Sequence, residues 1–429
     1  MEFIKLDNTE ISNSDRLKEF NRGNNSRIVK VLTLDDFDLK DKTVFLRVDM
    51  NCPIDPETME IIGTKRIEEA IETIESLKEA KVVVASHQGR VGNKDYTGMD
   101  QHAKVLEGLL NKKVKYVEDV IGEAAQKEIK NLKNGEVLVL DNLRLCAEEN
   151  YEFSPEAASK TIMVTRLSKL FDLCVLDSFP SAHRSHPSIV GFPQVLPACA
   201  GRIVEREVRN LDEIMTVAKA PHVIVLGGSK VPDRLEAIKL LIQNGRADHV
   251  LLTGVIGNVF MRAQARIKFP LDIKREEEVV AKAHSLIGEY PDVFSTPVDI
   301  AIDKDGERVE MDVREISKGD KIYDLGPKTV DFYSKIIAGA GTVFISGPAG
   351  FFEKPNFSYG TKQLLEAVAN SMATTIVSGG HLTSVLKKEG LAEKIDHIST
   401  AGGALVLYLT GEKLPMIKAL EDAAIRYRS

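Results

Sequence analysis

The stretch TVFLRVDMN, Thr43 to Asn51, begins with six residues in which only Thr43 and Arg47 are not apolar, and it ends in Asp49 and Asn51. A short, almost continuously apolar run with a polar far end reads as a strand buried on both faces, its carboxyl end open to solvent or ligand. Runs of the same kind recur at Val82 to Ala85, Val137 to Leu140 and Leu173 to Leu176. Later ones fall at Val223 to Leu226, Val250 to Leu252, Thr342 to Ile345 and Thr375 to Val377. Between them lie segments of helical period, such as RIEEAIETIESLK from Arg66 to Lys78. Strands of this type alternating with amphipathic helices predict parallel sheets covered on both faces.

A chain of 429 residues exceeds one ordinary core. The fold class is therefore α/β, two doubly wound parallel-sheet (Rossmann-like) domains joined by a helical hinge. The charged stretch Arg202 to Lys219, preceded by Pro193 and Pro197, supplies the connection. Residues 1–29 read as a polar extension, 30–200 as a first α/β domain and 201–400 as a second. Residues 401–429 form a C-terminal segment expected to pack back on the first. Neither a short-period repeat nor a low-complexity tract occurs.

A hydrophobic content of 43% with 28% charged residues fits a soluble globular protein, and a net charge of −7 argues against nucleic acid or an anionic membrane as partner. The N-terminal residues mix charges without an apolar core, unlike a secretory signal, and no apolar run nears the roughly 20 residues of a membrane span. Cys52, Cys146, Cys174 and Cys199 show no CxxC spacing and read as buried thiols of a reducing compartment. The expected location is the cytoplasm. A monomer is the default, a homodimer the variant.

In open parallel sheets, ligands bind beyond the carboxyl ends of the strands. In the first half these ends supply Arg47, Asp49 and Asn51, then His87 and Arg90, then Asn142 and Arg144, and finally Asp177 with His183, Arg184 and His186. Guanidinium groups hold phosphate and carboxylate bidentately, so this convergence in an acidic chain points to a small polyanion. His183 and His186 are three apart with no third ligand nearby, which argues against a metal pair; no protein metal ligand is assigned. In the second half the ends are rich in glycine: Gly227-Gly228-Ser229-Lys230, Thr253-Gly254, Ser346-Gly347-Pro348-Ala349-Gly350, Ser378-Gly379-Gly380-His381 and Gly402-Gly403. Such turns let backbone approach a ligand and open helices whose N-termini attract phosphate, and five in succession favour a nucleotide. Neither GxxxxGK[ST] nor GxGxxG occurs. An anion site on one half and a nucleotide site on the other suggest a phosphotransferase closing over two substrates.

From about Leu32 onward the segments LTLDDFDLKDKTVFLRVDMNCPID, SHQGR, LDNLRLCAEE, DSFPSAHRSHPSIVG, LGGSKVPDR, YDLGPKT, SGPAGFFE, VSGGH and ISTAGGALVLYLTGEKLP resemble, in order, the motifs of phosphoglycerate kinases, most closely the archaeal branch. The resemblance implies reversible phosphoryl transfer between 1,3-bisphosphoglycerate and ADP, giving 3-phosphoglycerate and ATP, with Mg2+ accompanying the nucleotide. Asp49, Asn51, Arg66, His87, Arg90, Arg144 and Arg184 would hold the acid phosphate, supported by Arg47, His183 and His186. Lys230 and Arg234 would contact nucleotide phosphates, Glu353 the ribose, and Gly379, Gly380, His381 and Leu382 the terminal phosphates. Lys230 and Arg66 would stabilise the group in flight. Three positions depart from the family pattern: Arg234 replaces a lysine, Ser346 an asparagine and His381 an acid. Another small-acid kinase or a non-catalytic metabolite sensor on the same fold are the alternatives.

Overall fold

The computed structural model describes residues 31–229, 231–264, 269–399 and 401–428, so Lys230 and the extension at 1–29 lie outside the described residues. The first sheet contains β1 (Thr43–Val48), β2 (Lys81–Ala85), β3 (Val114–Val117), β4 (Val137–Leu140), β5 (Leu173–Asp177) and β6 (Ala198–Ala200). All pairs are parallel, in the order β3-β4-β2-β1-β5-β6. From β1 the chain winds outward one way through β2 and the other way through β5. The crevice beyond β1, β2 and β5 is therefore a switch point, where doubly wound sheets place ligands.

β7 (His222–Leu226), β8 (His249–Leu252) and β9 (Phe294–Ser295) begin the second half. Next come β10 (Asp299–Lys304), β11 (Glu307–Asp312) and β12 (Ile322–Leu325), a small antiparallel sheet in the order β11-β10-β12. β13 (Thr342–Ser346), β14 (Thr374–Ser378) and β15 (His397–Ser399) complete a second six-stranded sheet ordered β15-β14-β13-β7-β8-β9. The fold class is thus two parallel-sheet α/β halves. The described chain divides into two compact units, residues 218–374, and residues 30–217 with 375–429.

The central strands are buried along their length because helices cover both faces. Ile67, Ala70 and Ile74 of helix Lys65–Ser76 enter the core with Val44, Leu46, Val82 and Val84. Helix Arg202–Val217 starts on a built cap: Asp177, the last residue of β5, accepts from the Ile203 and Val204 amides at 2.9 and 3.0 Å and from the Thr73 hydroxyl at 2.5 Å. The C-terminal helix Pro415–Arg428 docks within its own unit, where Tyr427 packs on Phe37 and the Met416 amide donates to the Ala182 carbonyl at 3.1 Å. All four cysteines are unpaired; Cys52, Cys174 and Cys199 are buried and Cys146 is partly exposed. No helix among the described residues is long and apolar enough to cross a membrane.

Candidate active site

The end of β1, the loops after β1, β2 and β4, and the start of helix Lys65–Ser76 place Arg47, Asp49, Asn51, Arg66, His87 and Arg144 in one unit. Arg47 is buried at the end of β1; its Nε donates to Ser188 Oγ at 2.9 Å, its Nη1 to the Val48 carbonyl, and its Nη2 lies 3.1 Å from His87 Nδ1. Arg66, from the first turn of helix Lys65–Ser76, pairs with Asp49. Asp49 also accepts from the Asn51 amide at 3.0 Å, and Asn51 Oδ1 accepts from the Gly89 amide at 2.9 Å. Arg144 donates to the Gly89 carbonyl. The peptides on either side of the Gly89 Cα are thus each held by a residue assigned to the acid site. Gly89 has φ +63°, and a Cβ there would collide with the Asp95 carbonyl, which accounts for glycine. Arg90 is exposed, while half-exposed Arg184 pairs with Glu152 at 3.3 Å.

Burial holds His87 well below the usual imidazole range, helped by Arg47, Arg144 and Arg66, and burial with Arg47, Arg144 and Arg184 pushes His186 down to about 3. Both rings are neutral near pH 7. Burial lowers Arg47 and Arg144 too, and Arg144 is further opposed by Arg47 and Arg90. An anion entering beside Arg144 would relieve the repulsion it meets from Arg47 and Arg90.

The loops of the second half are organised differently. The Gly227, Gly228 and Gly254 amides donate to the carbonyls of Ser346, Pro348 and Ala349 at 2.9, 2.9 and 3.0 Å. These glycines therefore bind loop to loop; a Cβ on Gly347, at φ +84°, would strike the Gly227 carbonyl. Arg234 Nη2 donates to Ser346 Oγ at 3.0 Å, so two of the three positions that depart from the family pattern touch. Glu353 is exposed in the unit of residues 218–374. Gly379, Gly380, His381 and Leu382 belong to the other unit, at the start of helix Gly380–Lys388. His381 is exposed there, while Leu382 is buried and leaves only its backbone to meet a ligand.

A family model described as Phosphoglycerate kinase matches residues 34–412. The chain belongs to the phosphoglycerate kinase family. It is 40% identical over 409 residues to the phosphoglycerate kinase of Methanothermus fervidus, covering 92% of this chain and 98% of the relative. Against that of Methanococcus maripaludis the identity is 41% over 418 residues, with 92% and 99% covered. Among solved structures, phosphoglycerate kinase from Pyrococcus horikoshii OT3 superposes with a TM-score of 0.83 at 38% identity, over 92% of this chain and 99% of that one. The enzyme from Coxiella burnetii gives 0.71 at 30% identity, over 92% and 100%.

Within this phosphoglycerate kinase fold, Glu149 is a residue that strand-end reading misses. It is fully buried and accepts from the Ser188 amide at 3.1 Å and from the Ser188 hydroxyl. Arg47 Nη2 lies 3.9 Å away and His186 Nδ1 3.8 Å away. Burial raises its carboxyl, and Arg47 and Ser188 oppose that rise. This buried acid fixes where Arg47 and Ser188 point. The signal available was an acid five residues beyond Arg144 in a segment otherwise read for its cations.

Proposed function

We propose that the chain catalyses reversible phosphoryl transfer between 1,3-bisphosphoglycerate and ADP, giving 3-phosphoglycerate and ATP, by direct in-line displacement after its two domains close. The observation that supports this most is the convergence of Arg47, Arg66 and Arg144 with neutral His87 and His186 in one unit. Such a set matches a small acid bearing phosphate at one end and carboxylate or acyl phosphate at the other. Asp49, Asn51, Arg66, His87, Arg90, Arg144 and Arg184 would hold that acid. Asp49 fixes Arg66, and Asn51 with Arg144 fixes the two peptides that flank the Gly89 Cα, so the cationic groups are oriented before substrate arrives. Lys230 and Arg234 would meet the nucleotide phosphates, Glu353 the ribose, and the Gly379–Leu382 turn the terminal phosphates.

Transfer of this kind needs positioning and charge stabilisation, with no covalent enzyme intermediate. Arg66 and Lys230 would offset charge on the equatorial oxygens, and closure would exclude water that otherwise hydrolyses the acyl phosphate. Among the described residues no three His, Cys, Asp or Glu side chains gather as a metal set. Magnesium prefers oxygen ligands and travels with nucleotide phosphates and water, so it enters here as part of the nucleotide substrate. The location we infer is cytoplasmic.

A coupled assay of ATP-dependent 3-phosphoglycerate consumption tests the reading. Turnover is expected; its absence in folded protein would refute it.

A further inference from the structure

Gln88 lies between His87 and Gly89, and its fully buried side chain has all its hydrogen-bonding capacity engaged. Its Oε1 accepts from the Cys52 amide at 2.8 Å and from His102 Nε2 at 3.0 Å. Its Nε2 donates to the Cys52 carbonyl at 2.9 Å and to the Asp95 carbonyl at 3.1 Å. The Cys52 amide and carbonyl fix which end of the carboxamide is oxygen. His102 Nε2 must then carry the proton, since a carboxamide oxygen only accepts. Burial pushes His102 down to about 4, which keeps that ring neutral.

The paired bonds to Cys52 join the loop after β1, which bears Asp49 and Asn51, to the loop after β2, which bears His87 and Arg90. The third bond ties in the segment that returns at Asp95. The same two loops are also linked by the Met50 amide to Ser86 Oγ at 2.9 Å and by the Gly89 amide to Asn51 Oδ1 at 2.9 Å. We propose that Gln88 is a positioning residue for phosphoryl transfer, setting the separation of the two loops that receive the acid phosphate. The inference rests on the kinase reading above. Gln88 acts through its neighbours, so its loss disturbs acid binding while leaving nucleotide binding intact.

Two variants of the full chain, assayed in the coupled reaction with unfolding curves alongside, decide the matter. Gln88→Met keeps the volume and removes the four bonds. It is expected to raise KM for 3-phosphoglycerate tenfold or more, with KM for ATP within twofold. Gln88→Glu keeps the acceptor but faces the Cys52 and Asp95 carbonyls with an oxygen, unless its carboxyl takes up a proton and regains a donor. Its KM for the acid, relative to the unmutated protein, is expected to fall as pH drops from 8 to 6. The groups around position 88 are His102 from helix Asp100–Leu110, Cys52 after β1, Asp95 in the returning loop and the adjacent His87. His102 and His87 are held below this window and Cys52 is pushed up to about 12, so none of those three changes charge within it.

An unchanged acid KM in folded Gln88→Met, or equal rises in both KM values, would overturn the proposal. Should Gln88→Met fail to fold, a pH-independent KM ratio for Gln88→Glu would overturn it instead. No turnover by the unmutated protein would refute the kinase reading, and this inference with it.

Discussion

Glu149 and His102 show what a linear reading loses at the scale of single residues. Arginines at strand ends are legible because a cation beyond a buried strand has few structural reasons to be there. Glu149 sits in AEEN, where no apolar run marks it for burial; only folding shows it at 0% exposure. Removing one partner of a buried ion pair leaves an uncompensated charge, at a cost of about 3–5 kcal/mol. Glu149→Gln keeps an acceptor for Ser188 but strips Arg47 of its counter-charge, so urea unfolding should show a loss near the lower end of that range. His102 gives a pH dependence. Its folded value of about 4 lies below the 6.5 of an unperturbed imidazole, so the unfolded chain takes up the proton first as pH falls. Its contribution to stability is intact above about pH 6.5 and declines towards pH 4, by roughly 3 kcal/mol at most. Unfolding free energies measured from pH 7 to 4 should decline less steeply in His102→Asn than in the unmutated chain.

Strands divide cleanly into those the sequence announces and those it hides. The eight apolar runs correspond to β1, β2, β4, β5, β7, β8, β13 and β14, the inner strands of both sheets. In the two parallel sheets the strands without such a run, β3, β6, β9 and β15, are the sheet edges and only two to four residues long. An edge strand pairs on one side only and need not be apolar throughout, so the signal fades there. The β10–β11 hairpin had a readable sign: Asp305-Gly306, both at positive φ, form the two-residue turn typical of hairpins. Helix Arg202–Val217 depends on a residue in a different element, Asp177. Asp177→Ala would leave the Ile203 and Val204 amides and Thr73 without their acceptor and should cost about 2 kcal/mol in urea unfolding. Asp177→Asn, which can still accept from the helix amides, should lose markedly less. Burial also pushes Asp177 up to about 6. Its folded form binds a proton more readily than the unfolded chain between about pH 3.8 and 6, so this group favours stability as pH falls, opposite in sign to His102.

For the molecule as a whole, the contrast between a cationic crevice and glycine-rich turns was legible in sequence, and so was the two-sheet architecture. The work those glycines do was not: several bind one loop to another, a close approach that only the folded backbone displays. Residues 1–29 precede the family match, which starts at residue 34, so their deletion should leave turnover nearly unchanged in the coupled assay. Lys230→Ala should lower kcat far more than it raises either KM, because the interaction it removes strengthens as charge redistributes during transfer. The most direct test of the account is calorimetric titration of the unmutated protein and Arg184→Ala with 3-phosphoglycerate and, separately, ADP. Loss of one charge-assisted contact should weaken acid binding by roughly 1.5–3 kcal/mol, about 10- to 150-fold, with ADP affinity unchanged. An ADP affinity that falls as far as the acid affinity would contradict the assignment of the two ligands to separate domains.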